Sequence, residues 1–236
     1  MDSDALRTLV GILGNIIALV LFLSPVPTFV TIVKAKSVQA FRPDPYVATI
    51  LNCGMWMFYS LPIVRPDSLL LFTINCAGFT IEIVFIAIFL TYSTWGGRKK
   101  IIILLSIEAV FAAAIVVVTL TCFHTNASRS MFVGLICLFF NILMYAAPLT
   151  VMKMVIKTKS VKYMPLGLSI ATFASSIVWS VYAILKYDIC LLIPNALGTL
   201  FAIVQLILYA TYYGSTNWDD VDYKQSEVQM PSTSNA

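Results

Sequence analysis

The chain has 236 residues, of which 60% are hydrophobic and only 11% are charged, and its mean hydropathy is +0.91. This composition excludes a soluble domain, because about a quarter of the residues of an average soluble domain are charged. The formal net charge of +4 comes from short clusters of lysine and arginine and not from charges spread along helical faces. The composition therefore predicts a protein whose natural solvent is the lipid bilayer.

Seven apolar segments are long enough to cross about 30 Å of hydrocarbon as helices. In chain order they cover residues 9–32, 44–64, 69–92, 101–123, 131–153, 165–186 and 190–213. The connections between them are short, which excludes a receptor ectodomain or a catalytic appendage. The last residues, 214–236, are polar and are predicted to form a disordered cytosolic tail.

Basic residues are concentrated in alternate loops. The loops after segments 1, 3 and 5 carry Lys34, Lys36, Arg42, Arg98, Lys99, Lys100, Lys153, Lys157, Lys159 and Lys162. The opposite side carries only Arg7, Arg65, Arg129 and Lys186. Because loops rich in lysine and arginine stay in the cytosol, the N-terminus is expected to be extracellular or lumenal and the C-terminus cytosolic. Both a plasma membrane and a vacuolar membrane would accept helices of these lengths.

Two parts of the chain repeat one pattern. At a spacing of 123 residues the matched positions are Gly11 with Gly134, Pro25 with Pro148, Lys34 with Lys157, Lys36 with Lys159 and Ser37 with Ser160. Past this basic loop the first copy is read as three residues longer. The spacing then becomes 120 and pairs Pro45 with Pro165, Asn75 with Asn195, Gly78 with Gly198 and Tyr92 with Tyr212. One three-helix unit is therefore used twice, and segment 4 has no counterpart.

The repeat predicts the topology. Three helices reverse the direction of the chain across the membrane, and one added linker helix restores it. We therefore expect an all-α integral membrane protein with seven transmembrane helices, arranged as two parallel three-helix repeats joined by a linker helix. The predicted limits are 1–96 for the first repeat, 97–126 for the linker and 127–213 for the second repeat. Repeats of this kind place a substrate at their interface, near the bilayer midplane.

Several motifs resemble those of the SWEET sugar transporters of eukaryotes, and most closely those of plants. They are "GNIIALVLFLSPVPTF", "KSVQAF" followed by "PY", "TINCAG" followed by Glu82, "MYAAPL", "KTKSVKYMP", "IPNALG" and "QLILY". The similarity extends over residues 7–213. The resemblance implies a bidirectional facilitative sugar transporter, a uniporter that moves mono- or disaccharides by alternating access. It also makes a homo-oligomer plausible.

Four prolines are candidates for a gate. Pro25 and Pro148 lie inside apolar segments near their expected cytosolic ends, where each removes a backbone hydrogen bond at a cost of about 3 kcal/mol and kinks the helix. Pro45 and Pro165 begin the following helices, where proline is ordinary. SWEET proteins have a proline tetrad at these positions, lining the cytosolic gate, so the resemblance implies a hinge and gate role for all four.

Two matched pairs of side chains are candidates for sugar binding. Asn75 and Asn195 place uncharged amides in the membrane, with both donors and an acceptor for sugar hydroxyls. Their alternative role is a hydrogen bond between helices, worth about 1 kcal/mol. Trp56 and Trp179 can pack on the apolar face of a pyranose ring or serve as interfacial anchors. In the SWEET family the substrate asparagines lie at the positions of Asn75 and Asn195.

The remaining pocket residues follow from the resemblance. It implies that the pocket wall is completed by Ala18, Asn52 and Ser175, and that Asn141 and Met144 lie beside it. The two tryptophans and their small neighbours set the pocket volume, which favours a glucose-type hexose over sucrose.

The resemblance also implies an outer gate at Tyr59 and Asp188, which match SWEET positions where a phenol and a carboxylate can form a hydrogen bond. Arg65 or Lys186 could equally pair with Asp188 as a surface ion pair.

Other classes of protein fit less well. Glu82 and Glu108 are the only acids deep in predicted helices, which favours uniport over ion-driven transport. His124 and the five cysteines lack the spacing of metal ligands, so neither a metal site nor another cofactor is expected. We expect no enzyme, because no catalytic constellation is present. A seven-helix receptor and a membrane-protein assembly partner without transport activity are the alternatives, and Asn126 lies in a formal glycosylation sequon.

Overall fold

The computed structural model describes residues 3–216 and 218 of the chain. That part of the chain forms nine helices: α1 Ser3–Leu23, α2 Val26–Ala35, α3 Asp44–Tyr59, α4 Leu69–Tyr92, α5 Trp95–Cys122, α6 Asn126–Met144, α7 Ala146–Thr158, α8 Leu166–Leu185 and α9 Ile189–Tyr212. The predicted tail lies almost entirely outside the described residues.

The nine helices make seven membrane crossings, because α1 with α2 and α6 with α7 each form one broken crossing helix. Six stretches of the described chain are long and apolar enough to span a bilayer. The seventh crossing is α3, which has 16 residues and is about 24 Å long at 1.5 Å per residue. It ends at Tyr59 and not at the predicted residue 64, because turns begin at Ser60. The all-α fold with seven crossings is confirmed.

Both broken helices contain the prolines that predicted a kink. The first break lies at 24–25, where Pro25 precedes α2 and Pro27 is the second residue of that helix. The second break lies at Tyr145, three residues before Pro148. Proline has no N–H, so the carbonyl one turn earlier loses its helical partner and the helix breaks nearby. Pro27, which has no counterpart in the second repeat, adds a second missing donor to the first break.

The repeats pack in the same way. In the first repeat α4 lies between its neighbours and packs against α1, α2 and α3, and in the second repeat α9 packs against α6, α7 and α8. The linker α5 packs against α3, α4 and α6. The repeats meet where α1 packs on α8 and where α3 packs on α6. These two contacts exchange under a two-fold rotation, as parallel repeats require.

The two membrane ends of the molecule are packed differently. We call the end with the basic loops the basic end and the opposite one the Tyr59 end. At the Tyr59 end one cluster of buried side chains joins both repeats, and we call it the shared core: Met55, Trp56, Tyr59, Val64, Leu71, Ile74, Val133, Cys137, Trp179, Tyr182, Ala183, Cys190 and Leu191. At the basic end the described residues form two separate clusters. One belongs to the first repeat and the linker, around Phe29 and Phe85, and the other to the second repeat, around Val155.

The three extra residues of the first copy lie later in the chain than the sequence comparison placed them. The rings of Trp56 and Tyr59 pack edge-on with centroids 5.2 Å apart, and those of Trp179 and Tyr182 do the same at 5.3 Å. Both pairs still match at the spacing of 123 residues. The spacing therefore changes in the longer loop between α3 and α4.

Pro45 and Pro165 are consequently not equivalent positions. Pro45 is the second residue of α3, whereas Pro165 precedes the first residue of α8. They were paired in the sequence comparison because the three-residue insertion was placed in the basic loop before α3 and not in the loop between α3 and α4. Asn75 and Asn195 lie beyond the true insertion, so their pairing at a spacing of 120 stands.

Candidate functional site

Glycines allow the two repeats to approach each other at the Tyr59 end. A Cβ atom at Gly11 on α1 would lie 3.0 Å from the ring of Tyr182 on α8, and one at Gly134 on α6 would lie 3.0 Å from the ring of Tyr59 on α3. These are the same contact made twice, since the glycines and the tyrosines match across the repeats. Only a residue without a side chain permits helix and ring to come this close.

The predicted tryptophans are brought together in the shared core. Trp56 and Trp179 are 4% and 6% exposed, and Ala18 packs against the same cluster. A Cβ atom at Gly14 would lie 3.1 Å from the indole of Trp179. Trp56 lies only three residues from the end of α3 and not deep inside a longer helix. Because the ring is buried in protein, it does not contact lipid headgroups as an anchoring tryptophan does.

The two predicted asparagines have matching environments. Each side-chain amide donates a hydrogen bond to the carbonyl four residues earlier, from Asn75 to Leu71 and from Asn195 to Leu191, both at 2.8 Å. Each residue is the seventh of its helix and therefore lies about 9 Å from the Tyr59 end of that helix. Within the described residues neither carboxamide oxygen accepts a hydrogen bond, which leaves an acceptor and one N–H for a ligand.

The other predicted pocket residues differ in burial and in whether their polar atoms have hydrogen-bond partners. Asn52 on α3 has a buried side-chain oxygen with no partner in the described part of the chain, and Ser175 on α8 is buried. Asn141 on α6 donates to the carbonyl of Cys137 at 3.1 Å. Met144, the last residue of α6, is 37% exposed. A buried amide oxygen without a partner is costly. The Asn52 oxygen is free to accept a hydrogen bond from a ligand, as expected of a pocket residue.

Tyr59 and Asp188, the predicted outer gate, are hydrogen-bonded to each other. The hydroxyl of Tyr59 lies 2.9 and 2.8 Å from the two carboxylate oxygens of Asp188, and the backbone N–H of Leu191 donates to the same carboxylate at 3.1 Å. Arg65 adds an ion pair at 3.4 Å, so the phenol and the arginine share Asp188. Lys186, the other candidate partner, does not pair with it in this structure.

A network that the sequence did not reveal ties the loop after α3 to the second repeat. Lys186 donates to the carbonyls of Pro66, at 2.9 Å, and of Asp67. Arg129 on α6 donates to the carbonyl of Ile63 at 3.2 Å. Burial lowers the pKa of Lys186 to about 8, so its ammonium group stays largely protonated at pH 7. Main-chain carbonyls that accept such bonds have no sequence signature, which is why these basic residues looked like ordinary loop charges.

The four prolines lie outside the shared core. Pro25, Pro45 and Pro148 are half-buried and Pro165 is exposed. The packing clusters around the basic end belong to one repeat each, as described above. The hinge and gate role of the four prolines therefore stays a prediction.

Two buried acids are left without a complete set of partners. Glu82 on α4 is 4% exposed, and one of its carboxylate oxygens has no hydrogen bond in the described chain. Glu108 on the linker α5 is half-buried, with one such oxygen. Within the described residues no group of three or more histidine, cysteine or acidic side chains is arranged to hold a metal ion.

Comparison with known proteins places these features in a family. A family model described as "Sugar efflux transporter for intercellular exchange" matches the chain twice, over residues 8–95 and 131–217. The bidirectional sugar transporter SWEET5 of Arabidopsis thaliana is 55% identical over 221 residues, which is 94% of this chain and 92% of that protein. The chain belongs to the SWEET family.

Two further SWEET proteins support the assignment. The bidirectional sugar transporter SWEET4 of Oryza sativa subsp. indica is 53% identical over 216 residues, or 92% of this chain and 83% of that protein. A solved structure of a eukaryotic SWEET transporter superposes with a TM-score of 0.87 at 38% identity, covering 91% of this chain and 100% of that chain. The SWEET fold of two three-helix repeats and a linker helix is therefore shared over nearly the whole chain.

Proposed function

We propose that the protein is a bidirectional facilitative sugar transporter. The observation that carries this function is the matched pair Asn75 and Asn195, each of which has an unused acceptor and an unused donor. The helices that carry them also contribute residues to the shared core, which contains Trp56 and Trp179. Sugar hydroxyls need both donors and acceptors, and the apolar face of a pyranose ring packs on indole. Ala18, Asn52 and Ser175 complete the wall of this site. Its relatives named above are bidirectional sugar transporters.

Transport proceeds by alternating access. The structure has the Tyr59 end joined by the shared core and the Tyr59–Asp188 pair, while the basic end is divided between the repeats. A sugar therefore enters or leaves this conformation at the basic end. Rocking at the breaks beside Pro25 and Pro148 would bring the basic ends together and part the Tyr59 end, with Pro45 and Pro165 at the helix starts that then meet.

The carrier is a uniporter, and a glucose-type hexose is the favoured substrate. Ion-driven carriers use clusters of ionisable groups in the membrane, whereas Glu82 and Glu108 are on different helices and the repeat partner of Glu82 is Ala202. Two buried tryptophans restrict the volume beside the asparagines, which favours one sugar ring over two.

The basic end faces the cytosol. Its ten lysines and arginines against four on the opposite side are the bias expected of cytosolic loops. The Tyr59 end is then extracellular in a plasma membrane or lumenal in a vacuolar one. The exposed apolar faces of the outer helices contact lipid, and they also offer surface for a homo-oligomer.

Sugar flux in sealed liposomes tests the function. Purified protein should equilibrate radiolabelled glucose, and sucrose more slowly, without accumulating either. Asn75→Ala and Asn195→Ala should each lower glucose flux at least tenfold, because each removes hydrogen bonds to the sugar worth about 1.5 kcal/mol or more. Thr211→Ala, which removes an exposed hydroxyl that bonds only within α9, should leave the flux unchanged.

Three results would contradict the proposal. Full flux in both asparagine variants would remove the binding site. Uphill accumulation driven by a pH gradient would exclude uniport. Absence of counter-flow for any hexose or disaccharide would favour the receptor or assembly-partner alternative.

A further inference from the structure

Tyr145 lies at the break between α6 and α7 and reaches α9. Its hydroxyl donates a hydrogen bond to the main-chain carbonyl of Pro194, inside α9. Its ring packs edge-on against Phe201, with ring centroids 5.0 Å apart. A Cβ atom at Gly198 would lie 2.9 Å from the hydroxyl, so the phenol reaches α9 because residue 198 is glycine.

Pro194 makes this turn of α9 different from an ordinary helical turn. Proline has no N–H, so the helical bond from residue 194 to the carbonyl of residue 190 is missing. The next residue is Asn195, whose side-chain amide bonds to the carbonyl of Leu191 within the same turn. The position of the Asn195 side chain therefore depends on how the proline-containing turn is held.

The first repeat supplies the contrast. Phe22 takes the place of Tyr145 there, and its ring lies so close to Gly78 that a Cβ atom at that position would overlap it. Phenylalanine has no hydroxyl, and the residue before Asn75 is Ile74, which keeps the helical hydrogen bond. A hydroxyl contact from outside the helix to its main chain is thus found in the repeat whose asparagine follows a proline, whereas Asn15 of α1 contacts the matching turn of α4 through the side chain of Thr73, at 3.0 Å.

We propose that Tyr145 is a positioning residue that braces the proline-containing turn of α9 and so holds Asn195 in place for the sugar. The inference depends on the proposed function, because it assigns Tyr145 to the same sugar site. The two asparagines are then held by different means, Asn75 by an uninterrupted helix and Asn195 by a tyrosine from the neighbouring helix.

Removing the hydroxyl alone tests the brace. Tyr145→Phe should raise the KM for glucose at least threefold in proteoliposomes and keep the maximum flux per mole of protein within twofold of wild type. Tyr209→Phe is the matched control, since it is the same change on α9 but packs beside the second-repeat cluster at the basic end. Its KM should stay at the wild-type value.

A second variant displaces the hydroxyl without removing it. Gly198→Ala should raise the KM as Tyr145→Phe does, because its methyl group takes the place of the phenol. In the Tyr145→Phe background the same alanine should add less than a twofold change, since the next neighbour of its Cβ lies 3.4 Å away, on Ser176. Should Tyr145→Phe not fold, the KM of Gly198→Ala alone decides.

The outcomes separate this inference from the proposed function. A KM within twofold of wild type in both single variants, or KM effects that simply multiply in the double variant, would overturn the brace. If Asn195→Ala abolishes flux while Tyr145→Phe keeps the wild-type KM, only the brace is wrong. If Asn195→Ala transports normally, the binding role of Asn195 itself fails.

Discussion

Each membrane end of the molecule contains matched residues of both repeats, but the repeats are joined at one end and separate at the other. At the Tyr59 end the repeats share one core, and the carboxylate of Asp188 is bonded by a phenol and an arginine across it. At the basic end each repeat has a core of its own. Matched residues therefore join the two repeats at the Tyr59 end and leave them apart at the basic end.

The difference shows which contacts a transport cycle has to break. The glycine–tyrosine contacts, the tryptophans and the Asp188 network all lie at the closed end, so opening that end requires the loss of buried packing and of a buried ion pair. The basic end has separate clusters to bring together. A substitution should consequently have a large effect at one end and a small effect at the other.

The largest effect is expected for Asp188→Ala. This change leaves the buried Tyr59 hydroxyl without its acceptor and the partly buried Arg65 without its carboxylate partner, and breaking a buried ion pair costs about 3 kcal/mol or more. The apparent melting temperature of the purified protein should fall and glucose flux should drop at least tenfold. Asp44→Ala at the basic end, whose carboxylate pairs with exposed cations, should melt close to wild type. Equal losses in the two variants would contradict the proposed difference between the ends.

A smaller effect is expected where alanine replaces a glycine between the repeats. In Gly134→Ala the new methyl group would lie 2.7 Å from Cys190 and 3.0 Å from Tyr59, and overpacking of this kind costs about 1–3 kcal/mol. Gly167→Ala on α8 is the matched control, because nothing lies within 4 Å of its Cβ position. The apparent melting temperature of Gly134→Ala should be well below that of Gly167→Ala. The reverse order would show that the repeats do not meet closely there.

Much of this architecture could be read from the sequence, because composition, helix length and repeated residues are local properties. The seven crossings, the parallel repeats and the broken helices at Pro25 and Pro148 were predicted and are present. The position of the three-residue insertion was not, since prolines near helix starts suggested a false match. The matching Trp–Tyr ring pairs on α3 and α8 show that the insertion lies after Tyr59.

The site could be predicted only in part. The matched residues Asn75 and Asn195 are visible in the sequence, although their binding role stays a prediction. Contacts in which a basic side chain meets a main-chain carbonyl, such as Arg129 with Ile63, leave no pattern in the residues. The role of Tyr145 was hidden for the same reason, because its partner is the backbone of Pro194.

The smallest effect is expected for Lys100→Met at the basic end. The lysine and Asp44 lie 2.5 Å apart, with side chains 49% and 24% exposed, and exposed ion pairs contribute about 0–1 kcal/mol. Melting temperature and glucose flux should both stay near the wild-type values. A loss as large as that of Asp188→Ala would show that the basic end is also held by a strong contact.

The central claim is that the two ends open alternately. Spin labels carried on unnatural amino acids would report it at two pairs of exposed positions, Leu69 with Ile189 at the Tyr59 end and Lys34 with Lys157 at the basic end. When glucose is added to the reconstituted protein, the Lys34–Lys157 distance should shorten in a fraction of molecules and the Leu69–Ile189 distance should lengthen in an equal fraction. Distances that stay unchanged at saturating glucose, or that change in the same direction at both ends, would contradict the account.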